Sequence, residues 1–289
     1  MTGTVIEGRG GFYTVRAGGQ SYTLRAQKKV RRQGLKPVIG DEVTFTPGAG
    51  GQHGWLEEIL PRASCLERPP VANVSGLALV VALVPETDWL LVDKLLVACS
   101  LSGIAPLLIV NKVDLGRAAF DTARAVYRAA GLAVAGVSCE TGEGLSALAA
   151  RLSGGLFALA GQSGVGKSTL LEKLTGHRAE AGALSARIAR GRQTTRHTTL
   201  IEAGGLRLID TAGFSLLNLD GLAPEALRDH YPDFAPFSGT CRFSPCLHAG
   251  EPGCGVRAAC DAGAIDPRRL ANYRALLSLL REQWRNRYA

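Results

Sequence analysis

Residues 161–168 read Gly-Gln-Ser-Gly-Val-Gly-Lys-Ser and match the pattern G-x-x-x-x-G-K-[ST] in full. That spacing suits phosphate binding. Glycines let the backbone N–H groups of Gly161, Gln162, Ser163, Gly164, Val165 and Gly166 converge on phosphate oxygens, and a helix opening through Thr169 adds a favourable dipole. Lys167 is expected to reach the β- and γ-phosphates and Ser168 to coordinate Mg²⁺. The plain alternative, a chance glycine-rich turn, is weakened by the apolar strand Leu156–Leu159 that runs straight into the loop. Downstream, Asp210-Thr211-Ala212-Gly213 follows the apolar strand Leu206–Ile209. Asp210 is placed to hold the Mg²⁺ shell through water, and the Gly213 N–H to sense a γ-phosphate.

Asn111-Lys112-Val113-Asp114 follows another apolar strand. The Asp114 carboxylate can accept two hydrogen bonds from the guanine N1–H and exocyclic amine; adenine lacks that donor pair and would leave the carboxylate buried and unpaired. Lys112 is expected to lie along the base, and Asn111 to tie its loop to the phosphate-loop side. Ser138-Cys139-Glu140, after the next strand, is where a backbone N–H to guanine O6 belongs. Combined with the phosphate loop, these residues indicate GTP. The order is unusual: ordinary GTPases carry the phosphate loop first and N-K-x-D last, whereas here 111–114 precede 161–168. Joining the old ends and cutting elsewhere preserves such a domain. The new cut falls after Gly213, so the nucleotide-sensing segment leads directly into whatever follows.

Residues 191–199, Gly-Arg-Gln-Thr-Thr-Arg-His-Thr-Thr, have the location of a first switch segment, where a threonine closes on Mg²⁺ and the γ-phosphate. Thr195 is the first choice and Thr194 the second; the later pair Thr198-Thr199 leaves the register open. A basic, hydroxyl-rich loop with no metal role is the plain alternative. Phe214 stands where many GTPases place a water-orienting glutamine. Slow intrinsic turnover is therefore expected, with the missing group supplied by another segment or by a partner. Cys241-x₄-Cys246-x-His248-x₅-Cys254 offers three thiolates and one imidazole, a closed set that suits structural Zn²⁺, with Cys260 as a rival fourth ligand.

The elements that must position these groups fall into three zones. Up to about residue 68 the chain reads as five short strands punctuated by glycines, the pattern of a small OB-like β-barrel, with Lys28–Arg32 on the loop after the third strand. Pro69-Pro70 reads as a linker. Residues 69–223 alternate apolar strands with helices, which implies a parallel α/β sheet covered on both faces. Residues 224–289 hold the Cys/His cluster and a helix over Pro267–Arg287 with Asp266 at its cap.

The chain's 289 residues favour two or three domains at roughly 150 residues each. Its 46% hydrophobic content provides a sizeable core and excludes wholesale disorder. The apolar run 77–84 is far short of the roughly 20 residues that span a bilayer, and the N-terminus lacks a signal-peptide core. A cytoplasmic protein with no membrane partner is expected. Seven cysteines, an odd number, argue against a disulfide framework. The net charge of +8 is uneven: nine bases against five acids in residues 1–66, fifteen against fourteen in 67–225, nine against six in 226–289. Basic ends fit a polyanion such as nucleic acid, or simply a solvated surface.

The motifs at 111–114, 161–169, 191–195 and 210–213, in that order and with the cluster at 241–254, resemble the bacterial ribosome small-subunit-dependent GTPase A family over nearly the whole chain. The resemblance implies an N-terminal OB domain that binds RNA, a circularly permuted GTPase domain and a mostly helical zinc domain. It implies a monomeric late-maturation factor of the 30S subunit that binds 16S rRNA in the GTP state, hydrolyses GTP when stimulated and leaves. It also implies Zn²⁺ on Cys241, Cys246, His248 and Cys254. Gln193 departs from the histidine that many members carry after Gly-Arg, which leaves that slot without an assigned catalytic role. Other readings are a permuted GTPase serving the 50S subunit or another RNA assembly, an RNA-binding module with GTP as a structural ligand, and a P-loop ATPase or kinase.

Overall fold

The computed structural model describes residues 1–32, 34–49, 52–67, 70–177, 198–211, 219 and 221–286. Its contacts gather into two compact units. One holds Met1–Leu77, Ser146–Ala160 and Lys167–Leu216; the other holds Ala78–Leu145, Gly161–Gly166 and Leu217–Ala289.

Five strands open the chain: β1 (Thr2–Arg9), β2 (Phe12–Ala17), β3 (Gln20–Ala26), β4 (Glu42–Thr46) and β5 (Gly54–Ile59). They close into a barrel in the order β1-β2-β3-β5-β4, with β3 and β5 parallel. Alternate residues point inward, as strand geometry requires, and Val5, Val15, Leu24, Val43, Phe45 and Leu56 fill the interior. The segment read as a loop after β3 is instead a short helix, α1 (Lys28–Arg32). Val30 explains it: fully buried in the barrel core, it pins the turn while Lys28 and Lys29 face solvent. The linker reading at Pro69-Pro70 also changes. Pro70 begins β7 (Pro70–Ala72), which pairs antiparallel with β6 (Cys65–Glu67). Proline is tolerated at the first residue of such an edge strand.

β8 (Gly76–Ala82) is buried at every residue, as expected of a strand covered on both faces. It is followed by α2 (Trp89–Ser102), β9 (Ala105–Asn111), α3 (Ala118–Tyr127) and β10 (Ala133–Gly136). α2 starts where the Asp88 side chain accepts from the Leu91 N–H at 2.9 Å. It stops at Gly103, whose left-handed backbone lets its N–H bond back into the last turn. β10 and β9 are parallel neighbours, and β8 lies on the other side of β9. Next come α4 (Leu145–Leu152), β11 (Leu156–Ala160), α5 (Lys167–Thr175), β12 (Thr198–Ala203) and β13 (Leu206–Thr211). β11 and β13 are parallel, and β12 is antiparallel to β13. Thr198 and Thr199, read as the end of the switch segment, belong to β12. Within this unit the barrel meets β12 and β13 through charged pairs, Arg16–Glu202 at 3.6 Å and Arg207–Glu42 at 3.8 Å.

The C-terminal zone is a 3-10 helix (Pro224–His230) and three helices, α6 (Ala235–Ser238), α7 (Gly255–Asp261) and α8 (Pro267–Asn286). Asp266 caps α8 by accepting from the Arg268 N–H at 2.9 Å. α8 buries Leu270, Tyr273, Leu276, Leu277 and Leu280, and with them Arg269. Among the described residues no helix is long and apolar enough to cross a membrane.

Candidate functional site

β9 delivers Asn111 to a buried position, 1% exposed. Its side chain works at both ends: Nδ2 donates to the Val165 carbonyl at 2.9 Å, and Oδ1 accepts from the Cys139 N–H at 3.4 Å. One residue therefore joins three segments: 111–114, the loop at Ser138-Cys139-Glu140, and the phosphate loop. Backbone bonds reinforce the first two, with the Val113 N–H donating to Val137 O at 3.2 Å. Ser138, fully buried, shapes its own loop by accepting at Oγ from the N–H groups of Glu140 (3.2 Å) and Thr141 (3.1 Å).

Two loop glycines are required by close approach. Gly166 has φ +95°, and a Cβ there would overlap Asn111 Nδ2. Gly161 has φ +138°, and a Cβ there would overlap the Val80 carbonyl of β8. The backbone thus approaches its neighbours more closely than any side chain permits. Lys112 is non-glycine at φ +62°, a strained setting of the kind found at functional sites. Its Nζ donates to Val84 O at 2.7 Å and Gly164 O at 2.8 Å, which stretches the side chain along the loop. Gln162 Oε1 accepts from the Asp88 N–H at 2.9 Å, linking the loop to the cap of α2. Asp114 is exposed in the single 3-10 turn Val113–Leu115, as are Ser163 and Gly164 in the phosphate loop.

Lys167, Ser168 and Thr169 continue directly from Gly166 as the first residues of α5. Ser168 and Thr169 are exposed. Asp210 lies in β13 opposite Leu159, two residues ahead of Gly161, so the strand register carries it beside the strand that feeds the loop. Thr194, Thr195, Gly213, Phe214, Gln193 and His197 lie outside the described residues. A separate open groove of about 550 Å³ along α3, bordered by Asp121, Arg124, Arg128 and Leu132, includes none of these residues.

The ligand atoms of Cys241, Cys246, His248 and Cys254 all lie within 4.8 Å of one another. Cys260 is not among them. The His248 nitrogen facing the thiols is Nδ1, 3.3 Å from Cys254 Sγ and 3.7 Å from Cys241 Sγ. Burial pushes His248 below its ordinary value, with Arg228 and Arg274 acting the same way against Glu251. The imidazole is therefore neutral near pH 7, as a metal ligand must be. Burial pushes the Cys246 thiol up to about 12, and the neighbouring Cys241 and Cys254 sulfurs reinforce it. Cys241 moves the other way: burial raises it, but N–H bonds from Gly255 and Val256 outweigh that and hold it below its ordinary value. Three sulfurs cannot all carry charge side by side unless a cation lies between them. The compact soft donor set fits a tetrahedral cation. Its loop is held from outside by Arg228 on Cys246 O (3.1 Å), Arg274 on His248 O (3.0 Å) and the Tyr273 hydroxyl on Leu247 O (2.8 Å).

Sequence reasoning missed one constellation altogether. Arg269, 2% exposed, makes a two-bonded pair with Asp233 (both 2.8 Å) and reaches Asp93 of α2 at 2.5 Å. The Tyr127 hydroxyl of α3 also donates to Asp93 at 2.8 Å. Burial works against the Arg269 charge, yet the two carboxylates hold its guanidinium above its ordinary value. No periodic signal marks such a residue: Arg269 counts as surface charge until α2, α3 and α8 are packed.

The family model described as RsgA GTPase matches residues 59–220, and that described as RsgA N-terminal domain matches residues 2–56. The chain belongs to the RsgA GTPase family. The small ribosomal subunit biogenesis GTPase RsgA of Caldanaerobacter subterraneus subsp. tengcongensis is 37% identical over 293 residues, covering 100% of this chain and 98% of that protein. The protein of the same name from Moorella thermoacetica is 38% identical, covering 96% and 97%. Among solved structures, YjeQ from Thermotoga maritima superposes with a TM-score of 0.80 at 32% identity, over 96% of this chain and 98% of that one. YloQ, described as a circularly permuted GTPase, superposes with a TM-score of 0.77 at 27% identity, covering 98% and 95%. The RsgA GTPase match accounts for the order noted in the sequence: the central domain is a P-loop GTPase whose base motif precedes its phosphate loop.

Proposed function

We propose that this chain is a GTPase of small ribosomal subunit biogenesis, binding the 30S subunit and its 16S rRNA with GTP in place and leaving once GTP is hydrolysed. One observation carries the reading: near full-length matches to GTPases named for small ribosomal subunit biogenesis. The division into an RNA-binding barrel over 1–68, a GTPase domain over 69–223 and a metal-binding domain over 224–289 belongs to the same proposal, as does action by a monomer in the cytoplasm.

In this reading Asp114 grips guanine, Lys112 runs along it, and the Cys139 N–H approaches O6. The N–H groups of residues 161–166 cradle the phosphates, Thr169 extends the helix start beneath them, and Lys167 neutralises the β- and γ-phosphate oxygens. Ser168 and Thr195 would hold Mg²⁺, which supplies positive charge where the leaving diphosphate becomes more negative. Asp210 orients water around that position, and the Gly213 N–H contacts the γ-phosphate. Water attacks the γ-phosphorus, the bond to the β–γ bridging oxygen breaks, and GDP and phosphate leave. Cys241, Cys246, His248 and Cys254 would hold Zn²⁺ in a closed four-ligand set, a structural cross-link with no open position for chemistry.

The test is GTP turnover by the full chain alone, with 30S subunits and with 50S subunits. Turnover should be slow alone, rise at least about ten-fold with 30S subunits and stay unchanged with 50S subunits. Fast turnover alone, or equal stimulation by both subunits, overturns the reading.

A further inference from the structure

One hairpin joins the two segments expected at the γ-phosphate. β12 begins at Thr198, straight after residues 191–197, and β13 ends at Asp210-Thr211, where 210–213 starts. Both open ends of the hairpin therefore lead into nucleotide-sensing residues. Its closed end is tight: Ala203 pairs with Leu206 across Gly204-Gly205, whose φ values of +59° and +79° make a two-residue turn that suits the twist of the strands. Six consecutive residue pairs hold the two strands in register, so a shift at the closed end carries through to the open one.

The barrel grips the closed end. Strand register sets Thr4 of β1 between Arg16 of β2 and Glu42 of β4, so the three share one rung, on the face away from the Val5–Val15 core. In the hairpin, Glu202 stands opposite Arg207. The two rungs meet with opposite signs. Arg16 Nη1 lies 3.6 Å from Glu202 Oε2, and Arg207 Nη2 lies 3.8 Å from Glu42 Oε1. The Thr4 hydroxyl completes the set, donating to Glu42 Oε1 at 2.7 Å and accepting from Arg207 Nη2 at 3.4 Å. Arg207 is three residues from Asp210 and Glu202 three from Thr199, about 10 Å of strand in each case. Long, partly exposed ion pairs hold weakly, so this contact can yield when either side changes what it binds.

We propose that Arg16, Glu42, Glu202 and Arg207 are positioning residues for partner-stimulated GTP hydrolysis. Through them the seating of the barrel sets the hairpin, and the hairpin sets where Asp210 and the segment ending at Thr198 stand toward the γ-phosphate. A partner that holds the barrel thereby governs turnover, and by reciprocity the nucleotide governs how the barrel is held. The choice of the 30S subunit as that partner rests on the function proposed above; the link itself rests on the matched rungs.

The test exchanges charges in the full chain. Glu202→Arg with Arg207→Glu keeps the pair inside the hairpin and reverses both contacts with the barrel, at unchanged net charge. Arg16→Glu with Glu42→Arg, added to it, restores opposite signs at both contacts. Stimulation is read as the ratio of GTP turnover with and without saturating 30S subunits, and co-sedimentation confirms that the subunits are bound. The hairpin exchange should cut stimulation at least about five-fold, and the four-site variant should recover it to within about two-fold of the parent. Arg16→Gln with Glu202→Gln removes one contact without creating repulsion and should cut stimulation about three-fold; it decides the matter where the hairpin exchange melts below the parent. Hydrogen exchange reads the link with no subunit present. Amides of β1, β2 and β4 should exchange at least about three-fold differently with a non-hydrolysable GTP analogue and with GDP in the parent, and equally in the hairpin exchange. Full stimulation of a folded hairpin exchange, no recovery in the four-site variant, or barrel exchange that ignores the nucleotide in the parent overturns the link and leaves the ribosomal function standing. If 30S subunits fail to stimulate the parent, the ribosomal function is wrong, and hydrogen exchange judges the link independently.

Discussion

Asp114 and Arg269 show how differently two charged side chains can be used. Asp114 sits exposed on a strained turn, free to take up a base, so its replacement should alter recognition more than folding. Asp114→Asn should lose about a hundred-fold in GTP affinity and gain affinity for xanthosine nucleotides, whose ring carries an oxygen where guanine carries the amine; nucleotide competition reads both. Preserved GTP binding in that variant would contradict the base-pocket reading. Arg269 has the opposite character. It lies between Asp93 and Asp233 with almost no solvent, and removing it strands two buried carboxylates. Arg269→Met should cost about 3–5 kcal/mol in urea unfolding. Adding Asp93→Asn and Asp233→Asn should recover part of that loss, because the uncompensated charges go with them. A variant as stable as the parent would mean the network contributes nothing.

Elements turn these side chains into a site. The end of β9, the start of the 138–140 loop and the phosphate loop are held together through Asn111, and the loop closes over it only because position 166 has no Cβ. Gly166→Ala must either twist the loop or displace Asn111. It should cost about 1–3 kcal/mol in stability and weaken nucleotide binding in the same variant, as melting and fluorescent-nucleotide titration would show. An unchanged affinity would show that the close approach is incidental. The metal cluster is a second such case, with its ligands spread over one loop and the start of α7. Cys254→Ser should remove one equivalent of bound zinc by elemental analysis and lower the melting temperature. Strong chelation of the parent should reproduce that shift, since structural zinc contributes to folding outright. A parent that contains no zinc and is indifferent to chelator would rule out a structural metal.

Charge acts over the whole molecule. The excess of bases lies in the first and last zones, with near balance between them, although Arg269, Arg228 and Arg274 are committed to internal partners. In the first zone Arg62 is likewise committed to Asp41, whereas Lys28 and Lys29 of α1 are exposed to solvent. Co-sedimentation with 30S subunits should fall at least about ten-fold between roughly 50 and 200 mM salt, and neutralising Lys28 and Lys29 should flatten that slope. A salt-independent association would place the affinity in apolar contacts instead.

Much of this was legible without coordinates, because contiguous motifs report local chemistry. G-Q-S-G-V-G-K-S, N-K-V-D, D-T-A-G and the Cys/His spacing each need only a few neighbouring residues, and the alternation of strands and helices announced the sheet that carries them. The barrel was readable for the same reason, its strands being short and separated by glycines. What tertiary structure alone decided depends on which distant residues become neighbours. α1 formed where a loop was read, since Val30 found a core to enter; Pro70 joined a strand because a partner strand was present. Arg269 changed from surface charge to buried link once Asp93, 176 positions away, came to rest against it. The rung of Arg16, Thr4 and Glu42 likewise exists only through register: pairing distances along a chain are set by how strands align across a closed sheet, and no local pattern encodes that alignment.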